Sequence, residues 1–293
     1  MTARPWTRAT SPWRPSTHLH GTVDTAREVL VRAGNTVVLT GAGLSTDSGL
    51  PDYRGPDAPQ ATPMLYAEFI GDPAARQRYW ARNYRGYAAA GDLEPNPGHE
   101  AIARWEHLSR PTPLVGLITQ NVDGLHEQAG SRRLIPLHGR GRDVMCLRCG
   151  RITSRADLQA ELAELNPGFP VDDPVSPAQM RPDYDAEVRE WQGFRVPNCR
   201  VCGGLLKPDV TFFGEPVPKA RVTAATAWCQ AADAMLVAGS SLTVMSGLRF
   251  VRAMAKAGKP VVIVNHGATR ADELATVRLD EPVSQVLQAL IAD

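Results

Sequence analysis

Four short runs of apolar, mostly β-branched residues recur along the chain, and each ends in small or polar residues. The runs span 36–40, 114–119, 234–238 and 260–264. Amphipathic helical patterns lie between them, at 23–33, 99–108 and 219–231 among other places. Because buried parallel strands form continuous apolar runs and alternate with helices, this order predicts an α/β fold with a Rossmann-like, doubly wound parallel sheet. Ligands bind such sheets at the carboxyl edge, where the small and polar residues are expected to lie.

Charge and hydropathy exclude two classes of partner. The 293 residues carry a formal net charge of only +1, whereas a nucleic-acid-binding protein needs a concentrated basic face. No apolar run approaches the length of a transmembrane helix, about 18 residues or more. We therefore expect no nucleic-acid partner and no membrane partner. The expected location is cytoplasmic for a bacterial source and mitochondrial for a eukaryotic one.

Composition divides the chain into parts. Residues 1–21 contain arginines and prolines but no acid or apolar core, which predicts a disordered N-terminal tail, with a transit peptide as the alternative in a eukaryote. Residues 22–139 and 205–293 are predicted to form the Rossmann-like domain, interrupted by a helical insertion at 56–97 that is rich in Pro, Arg and aromatic residues. Residues 140–204 contain two cysteine pairs and are predicted to form a small zinc-binding module.

The cysteine spacing is the strongest signal for a metal. Cys146 and Cys149 form one CxxC pair, and Cys199 and Cys202 form a second. Two such pairs supply four thiolates for a closed tetrahedral zinc site, which is a structural rather than a catalytic arrangement. The long gap between the pairs requires an insertion to loop out, and disulfides are the alternative. Cys229 lies outside this set and is expected to be a buried apolar residue.

A glycine-rich loop, Gly41-Ala-Gly-Leu-Ser-Thr-Asp-Ser-Gly49, follows the first run. Its glycines would let backbone N–H groups approach a pyrophosphate at the start of the next helix, although a plain strand–helix turn has the same pattern. The loop continues into Asp52, Tyr53 and Arg54. A hydride-transferring dehydrogenase is disfavoured, because Thr46 stands where the third glycine of GxGxxG belongs and no acid follows at the expected distance.

Polar residues follow the later runs as well. Gln120, Asn121 and Asp123 come after the second run. Such side chains can bind ribose hydroxyls and a carboxamide, although an Asn/Asp turn explains them equally well. His138 has the chemistry of a general base near neutral pH, although a lone histidine is more often structural. The segment Val210–Glu215 is predicted to be extended, and either captures a peptide by strand addition or is an ordinary edge strand.

Taken together and in this order, these segments resemble the sirtuin family from about residue 22 to the end. The matching motifs are Gly41-Ala-Gly-Leu-Ser45, Gly49-Leu-Pro-Asp-Tyr-Arg-Gly55, Thr119-Gln-Asn-Val-Asp123, Leu137-His-Gly139, both CxxC pairs, Phe213-Gly-Glu215, Gly239-Ser-Ser-Leu242 and Val264-Asn265. The chain is most similar to class II sirtuins. The features shared with that class are the stretches 76–83, 129–133 and 205–215, the long insertion between the CxxC pairs, and Ser246-Gly247 in place of a proline common in other classes. Tyr53 departs from the Phe of many sirtuins.

The resemblance implies an enzyme that removes acyl groups from protein lysines and consumes NAD, giving nicotinamide, O-acyl-ADP-ribose and free lysine. It implies that His138 is the catalytic base, that Asn121 and Asp123 hold the nicotinamide, and that an acyl-lysine peptide binds near Val210–Glu215. The implied NAD contacts are Gly41, Ala42, Gly43, Ser45, Asp52, Tyr53, Arg54, Gln120, Asn121, Asp123, His138, Gly239, Ser240, Ser241, Asn265 and Val283. The zinc would not touch the substrate. Protein mono-ADP-ribosylation at the same NAD site is the alternative reaction, and a non-enzymatic NAD-sensing or zinc-ribbon module is a third hypothesis.

Overall fold

The computed structural model describes residues 20–52, 63–89, 93–169, 186, 188 and 190–292. Tyr53, Arg54 and nearly all of the predicted tail lie outside these residues. The strands are β1 Thr36–Thr40, β2 Leu114–Thr119, β3 Leu134–Pro136, β4 Gly139–Cys146, β5 Ile152–Ser154, β6 Leu206–Val210, β7 Ala234–Ala238, β8 Val261–Val264 and β9 Val277–Leu279. The α-helices are α1 Val23–Ala33, α2 Tyr66–Gly71, α3 Pro73–Ala89, α4 Pro97–Leu108, α5 Leu125–Gln128, α6 Arg155–Leu165, α7 Lys219–Ala231, α8 Met245–Lys256 and α9 Val283–Ile291. Turns of 3-10 helix cover Ala42–Ser48 and Asp272–Leu274.

Six strands form a parallel sheet in the order β3-β2-β1-β7-β8-β9. Strands β2 and β3 lie on one side of β1, and β7, β8 and β9 lie on its other side. The strand order therefore reverses between β1 and β7, where open α/β sheets bind ligands. The predicted doubly wound sheet is confirmed, and the four apolar runs form its central strands. The edge strands β3 and β9 are only three residues long each. Neither contains an apolar run as long as the runs that predicted the central strands.

Both faces of this sheet are buried, which explains why its strands have no polar side. Val38, Leu117 and Leu236 lie in the core on the face covered by α1, α4 and α9. Val37, Leu39 and other alternate residues lie in the core on the opposite face, with α7 and α8. Because successive side chains of a strand point to opposite faces, a strand buried on both faces is apolar at nearly every position. In β1 and β2 the exceptions Thr36, Thr40 and Thr119 stand at strand ends, where each hydroxyl forms a hydrogen bond.

A second, antiparallel sheet has the order β5-β4-β6 and belongs to the small module. Its strand β6, Leu206–Val210, pairs with β4 and is therefore part of the small module's sheet. This strand lies beyond residue 204, where the sequence predicts the module to end. The insertion helices α2 and α3 share a core with this module, in which Phe69, Trp80, Leu162 and Phe212 are buried together. The division of the chain into separate domains stays a prediction.

Among the residues that the structure describes, no helix is long and apolar enough to cross a membrane.

Candidate functional site

A cavity of about 510 Å³ lies where the central strands of the large sheet end. Its walls include the residues that directly follow β1, β2, β7 and β8, as the sequence predicts for a ligand site. The predicted NAD contacts that line it are Gly41, Ala42, Gly43, Ser45, Asp52, Gln120, Asn121, Asp123, His138, Gly239, Ser240, Ser241 and Asn265. Val283 instead begins α9 and packs in the core, so its backbone contact with NAD stays a prediction without support from the cavity.

Glycines let the loops after β1 and β7 touch backbone to backbone. A Cβ atom on Gly41 would lie 2.8 Å from the carbonyl oxygen of Gly239. Gly239 has a φ of +64°, and a Cβ there would lie 2.3 Å from the backbone nitrogen of Leu44. Only glycine fits this approach, which places backbone N–H groups from both loops around one cavity, as a pyrophosphate site requires.

Ser45, Asn121 and Asp123 form one hydrogen-bonded cluster in the cavity wall. The Asn121 side-chain amide donates to the Gly41 carbonyl oxygen at 3.1 Å and to Ser45 Oγ at 3.0 Å. Ser45 Oγ donates in turn to Asp123 Oδ2 at 2.8 Å. Burial raises the pKa of the Asp123 carboxyl, while the hydrogen bonds from Leu125 N–H and Ser45 oppose this shift. The cluster thus presents a fixed amide and a fixed carboxyl group, the two groups that suit a carboxamide ligand.

His99 lies behind this cluster, although no sequence motif singles it out as a site residue. Its Nδ1 accepts a hydrogen bond from the Asn96 backbone N–H at 3.2 Å, so Nε2 carries the ring proton and lies 3.4 Å from Ser45 Oγ. Burial lowers the pKa of His99 to about 4, so the ring is neutral near pH 7. The available sequence signal was its position three residues after Asn96 at the start of α4, which is a capping-box position.

His138 is held by hydrogen bonds at both ring nitrogens. Nδ1 lies 3.0 Å from the Gln120 carbonyl oxygen, which can only accept, so Nδ1 carries the proton. Nε2 therefore has the free lone pair, and it accepts from Ser246 Oγ at 2.8 Å. Burial lowers the pKa of His138 to about 4; the bond to Gln120 opposes this shift and the Arg221 guanidinium adds to it. The ring is thus a neutral imidazole with its basic nitrogen on the cavity side, the state that a general base needs.

The Gln120 side chain links the ends of β2 and β7. Its Oε1 accepts a hydrogen bond from Ser240 Oγ at 2.6 Å. A Cβ on Gly247 would lie 2.7 Å from its Nε2, so the absence of a side chain at 247 leaves room for this amide. Gln120 thus lies in the cavity wall through its side chain and orients His138 through its backbone.

The segment Val210–Glu215 also lines the cavity. It continues from β6, which is an edge strand of the small sheet. The Thr211 N–H donates to the His138 carbonyl oxygen at 2.7 Å, and the Phe212 N–H donates to Glu215 Oε2 at 2.9 Å. The first bond holds the segment next to the base, and the second closes a turn within the segment. This position agrees with the predicted role of the segment in binding a peptide.

The two CxxC pairs come together into one four-thiol cluster. All four Sγ atoms lie within 4.8 Å of one another, with 3.5 Å between Cys146 and Cys202 and 3.9 Å between Cys149 and Cys199. A tetrahedral zinc with Zn–S bonds of about 2.3 Å needs sulfurs about 3.8 Å apart, so the cluster fits zinc. A Cβ on Gly204 would lie 2.9 Å from Cys146 Sγ, so glycine is needed there. None of the four is in a disulfide or lines the cavity, which agrees with a structural role.

Known proteins are similar to this chain in sequence and in fold. Residues 41–246 match the model of the Sir2 family. NAD-dependent protein deacetylase 1 of Mycobacterium avium is 52% identical over 275 residues, which cover 93% of this chain and 96% of the relative. NAD-dependent protein deacylase Sirt4 of Drosophila melanogaster is 41% identical over 270 residues, covering 90% and 84%. A solved structure described as "Sir2-p53 peptide-NAD+" superposes with a TM-score of 0.69 at 27% identity and covers 92% of this chain and 97% of its own. Since the family match spans the glycine loop, the polar end of β2, His138 and all four cysteines, this chain belongs to the Sir2 family, the sirtuins.

Proposed function

We propose that this chain is an NAD-dependent protein-lysine deacylase that yields nicotinamide, O-acyl-ADP-ribose and free lysine. The observation that carries the proposal is the state of His138, a neutral base whose Nε2 lies on the cavity that the Ser45–Asn121–Asp123 cluster also lines. Relatives that match 90% or more of the chain are NAD-dependent deacetylases and deacylases by name. A solved Sir2 protein of the same fold binds both a peptide and NAD.

NAD supplies the bond between nicotinamide and ribose, whose cleavage makes the ribose carbon electrophilic. On the protein side, the cavity volume of about 510 Å³ suits a cofactor-sized ligand. The backbone N–H groups of the loops at Gly41–Gly43 and Gly239–Ser241 would hold the phosphates. Asn121 and Asp123 would hold the carboxamide of the nicotinamide, and Asn265 would contact the remainder of the nucleotide.

His138 would take a proton from a ribose hydroxyl while that oxygen attacks the acyl carbon. Its partly buried position keeps it unprotonated at neutral pH, because a charged imidazolium loses solvation there. The bond from Nδ1 to Gln120 keeps the ring oriented and gains strength when the ring becomes charged. Both effects suit a residue that must receive a proton and then return it.

The acyl-lysine peptide would bind beside Val210–Glu215, since that segment lines the same cavity as His138. Main-chain pairing with an edge segment binds a peptide irrespective of most of its side chains. The lysine side chain would then enter the cavity and bring its acyl group to the ribose. The zinc would stabilise the module that carries β6 and would take no part in the chemistry.

Two finer assignments belong to the same proposal. The 41% identity to a deacylase named Sirt4 supports placement among the class II sirtuins. The bacterial relative that matches 93% of the chain supports a bacterial, cytoplasmic enzyme.

The test is a screen of the purified chain with NAD against one peptide sequence that carries a series of different lysine acyl groups. Mass spectrometry would follow nicotinamide, acyl-ADP-ribose and the peptide, with His138→Ala as the matched inactive variant. We expect at least one acyl group to leave the peptide with equimolar acyl-ADP-ribose. A peptide that gains ADP-ribose would show the alternative transferase reaction, and an absence of NAD consumption with every acyl group would overturn the proposal.

A further inference from the structure

Ser246 forms the closest polar contact to the basic nitrogen of His138. It is the second residue of α8, and its Oγ lies 2.8 Å from His138 Nε2. Ser246 also lines the cavity. In the sequence it is notable only as part of the Ser246-Gly247 pair that replaces a proline, and the proposed reaction does not require it.

The hydrogen bonds of His138 determine what the Ser246 hydroxyl does there. Nδ1 gives its proton to the Gln120 carbonyl oxygen, so Nε2 can only accept. A neutral imidazole has one in-plane lone pair at Nε2, and the Ser246 hydroxyl already occupies it. A substrate hydroxyl in the cavity therefore meets Ser246 Oγ between itself and the base.

We propose that Ser246 is a proton relay that carries the proton of the substrate ribose hydroxyl to His138 Nε2. The ribose O–H proton passes to Ser246 Oγ while the proton of Ser246 passes to Nε2. Two O–H bonds break, one new O–H and one N–H bond form, and the ribose oxygen keeps the electron pair with which it bonds to the acyl carbon. The positive charge ends on the imidazole ring. When the C–N bond to lysine breaks, His138 Nε2 gives its proton to Ser246 Oγ and Ser246 gives its own proton to the departing lysine nitrogen. This inference rests on the proposed deacylase function.

The surroundings of Ser246 suit a hydroxyl that gains negative character during the transfer. Ser246 lies in the first turn of the 12-residue helix α8. The unpaired backbone N–H groups of a first turn carry a partial positive charge, which favours a partly anionic oxygen. The N-cap residue Val244 offers no side-chain oxygen to these N–H groups.

Charged groups from several elements face this pair. Arg221 of α7 acts on His138 and is itself paired with Asp209 of β6. Further titratable groups lining the cavity are Asp52, Asp123, Glu215, Arg249 and His266. A shift in a pH profile could arise from any of them, so the test uses readouts that separate reaction steps.

The experiment compares Ser246→Ala and Ser246→Thr with Ser154→Ala, an exposed serine outside the cavity. Nicotinamide exchange reports the cleavage that precedes proton removal, whereas release of free lysine reports the full reaction. We expect Ser246→Ala to slow lysine release about ten-fold or more and to leave exchange and NAD affinity within about two-fold of the original chain. Ser246→Thr keeps a hydroxyl and should retain most lysine release. Ser154→Ala loses only the N-cap bond to the Ala156 N–H of α6 and should match the original chain in the rates of exchange and lysine release.

A second readout does not depend on turnover. In the free protein, ¹⁵N NMR of the His138 ring should show a proton on Nδ1 and a hydrogen-bonded Nε2 that changes in Ser246→Ala. Lysine release by Ser246→Ala at the original rate, or an equal loss of exchange and release, would overturn the relay. A chain that shows the Nε2 hydrogen bond but turns over no acyl peptide would contradict the proposed function instead.

Discussion

Lys207 forms an ion pair with Glu215, the last residue of the segment Val210–Glu215 beside His138, with 3.2 Å between Nζ and Oε2. The lysine side chain is only 1% exposed and the glutamate 14%. Nζ also donates to the carbonyl oxygen of Val210 and lies 4.8 Å from the centre of the Phe212 ring. Burial lowers the pKa of Lys207, and the Glu215 carboxylate opposes this shift. Both ends of Val210–Glu215 are therefore attached to one buried cation.

Lys207→Met should destabilise the chain by about 3 kcal/mol, because it leaves the Glu215 carboxylate partly buried without its partner. The KM for an acyl peptide should rise while the Kd for NAD changes little, since only the peptide segment loses its anchor. Urea unfolding and steady-state kinetics measure the two effects. Lys256→Met is the matched control, because Lys256 is exposed at the end of α8. A Lys207→Met chain as stable as this control would contradict the anchoring role.

His138→Ala should abolish net deacylation and leave the fold and NAD affinity largely intact. Nicotinamide exchange should survive better than lysine release, because the bond to nicotinamide breaks before the base is needed. Rate measurements of both steps, with NAD affinity by calorimetry, test this. Retention of most of kcat in the variant would show that another group is the base.

Acid should destabilise the protein between pH 6.5 and about 4, through histidines that are buried in the neutral state. The pKa of His138 and that of His99 are lowered from 6.5 to about 4, and the pKa of His126 is also lowered. In that range these histidines bind protons in the unfolded chain but not in the folded chain. Their contribution to the free energy of unfolding is therefore complete above pH 6.5 and is lost as the pH falls towards 4. Each such histidine contributes a slope of up to about 1.4 kcal/mol per pH unit.

Urea unfolding from pH 7 to 4 measures this slope. His138→Gln should make this slope shallower, because the variant lacks one of the neutral rings that gain a proton on unfolding. Equal slopes for His138→Gln and the original chain would contradict the assignment of a neutral, buried ring.

One zinc ion per chain should bind to Cys146, Cys149, Cys199 and Cys202. Cys146→Ser removes one of the four thiolates of the site. Because the free energy of zinc binding is coupled to folding, this variant should lose zinc and melt at a lower temperature. Elemental analysis and thermal unfolding measure both. Cys229→Ala is the matched control and should retain zinc, because Cys229 lies in the core away from the cluster. A chain without stoichiometric zinc, or a Cys146→Ser chain with unchanged melting, would refute the site.

Gly239→Ala should weaken NAD binding about ten-fold, a loss of about 1.4 kcal/mol. The new Cβ would lie 2.3 Å from the Leu44 backbone nitrogen and would push the loops after β1 and β7 apart. Gly258→Ala is the control for backbone strain without a steric clash. Gly258 also has a positive φ, +70°, but a Cβ added there would have no atom within 4 Å. Calorimetry should find NAD affinity changed only in the first variant. Equal affinities would show that the loop contact does not shape the NAD site.

Much of the site follows from local sequence. Short apolar runs buried on both faces predicted β1, β2, β7 and β8, and their polar ends predicted the cavity wall. The CxxC spacing predicted the four-thiol cluster, because both cysteines of a pair lie on one tight turn. Each strand and each CxxC pair could be inferred because its residues are close together in the chain. The meeting of the two pairs, with Cys146 and Cys202 56 residues apart, was inferred from the four ligands that a structural zinc needs.

Other contacts exist only in the tertiary structure. Ser246 lies 108 residues from His138 in the chain, and Ser45 lies 54 residues from His99. No local pattern relates such residues; their contact depends on how α8 and α4 pack on the sheet. The short β3 and β9 are strands because they pair with β2 and β8. The apolar pattern of the sequence thus determined which segments are buried. The pairing of the strands placed the Gln120 carbonyl at His138 Nδ1, and the docking of α8 placed Ser246 at Nε2, because both contacts join residues far apart in the chain.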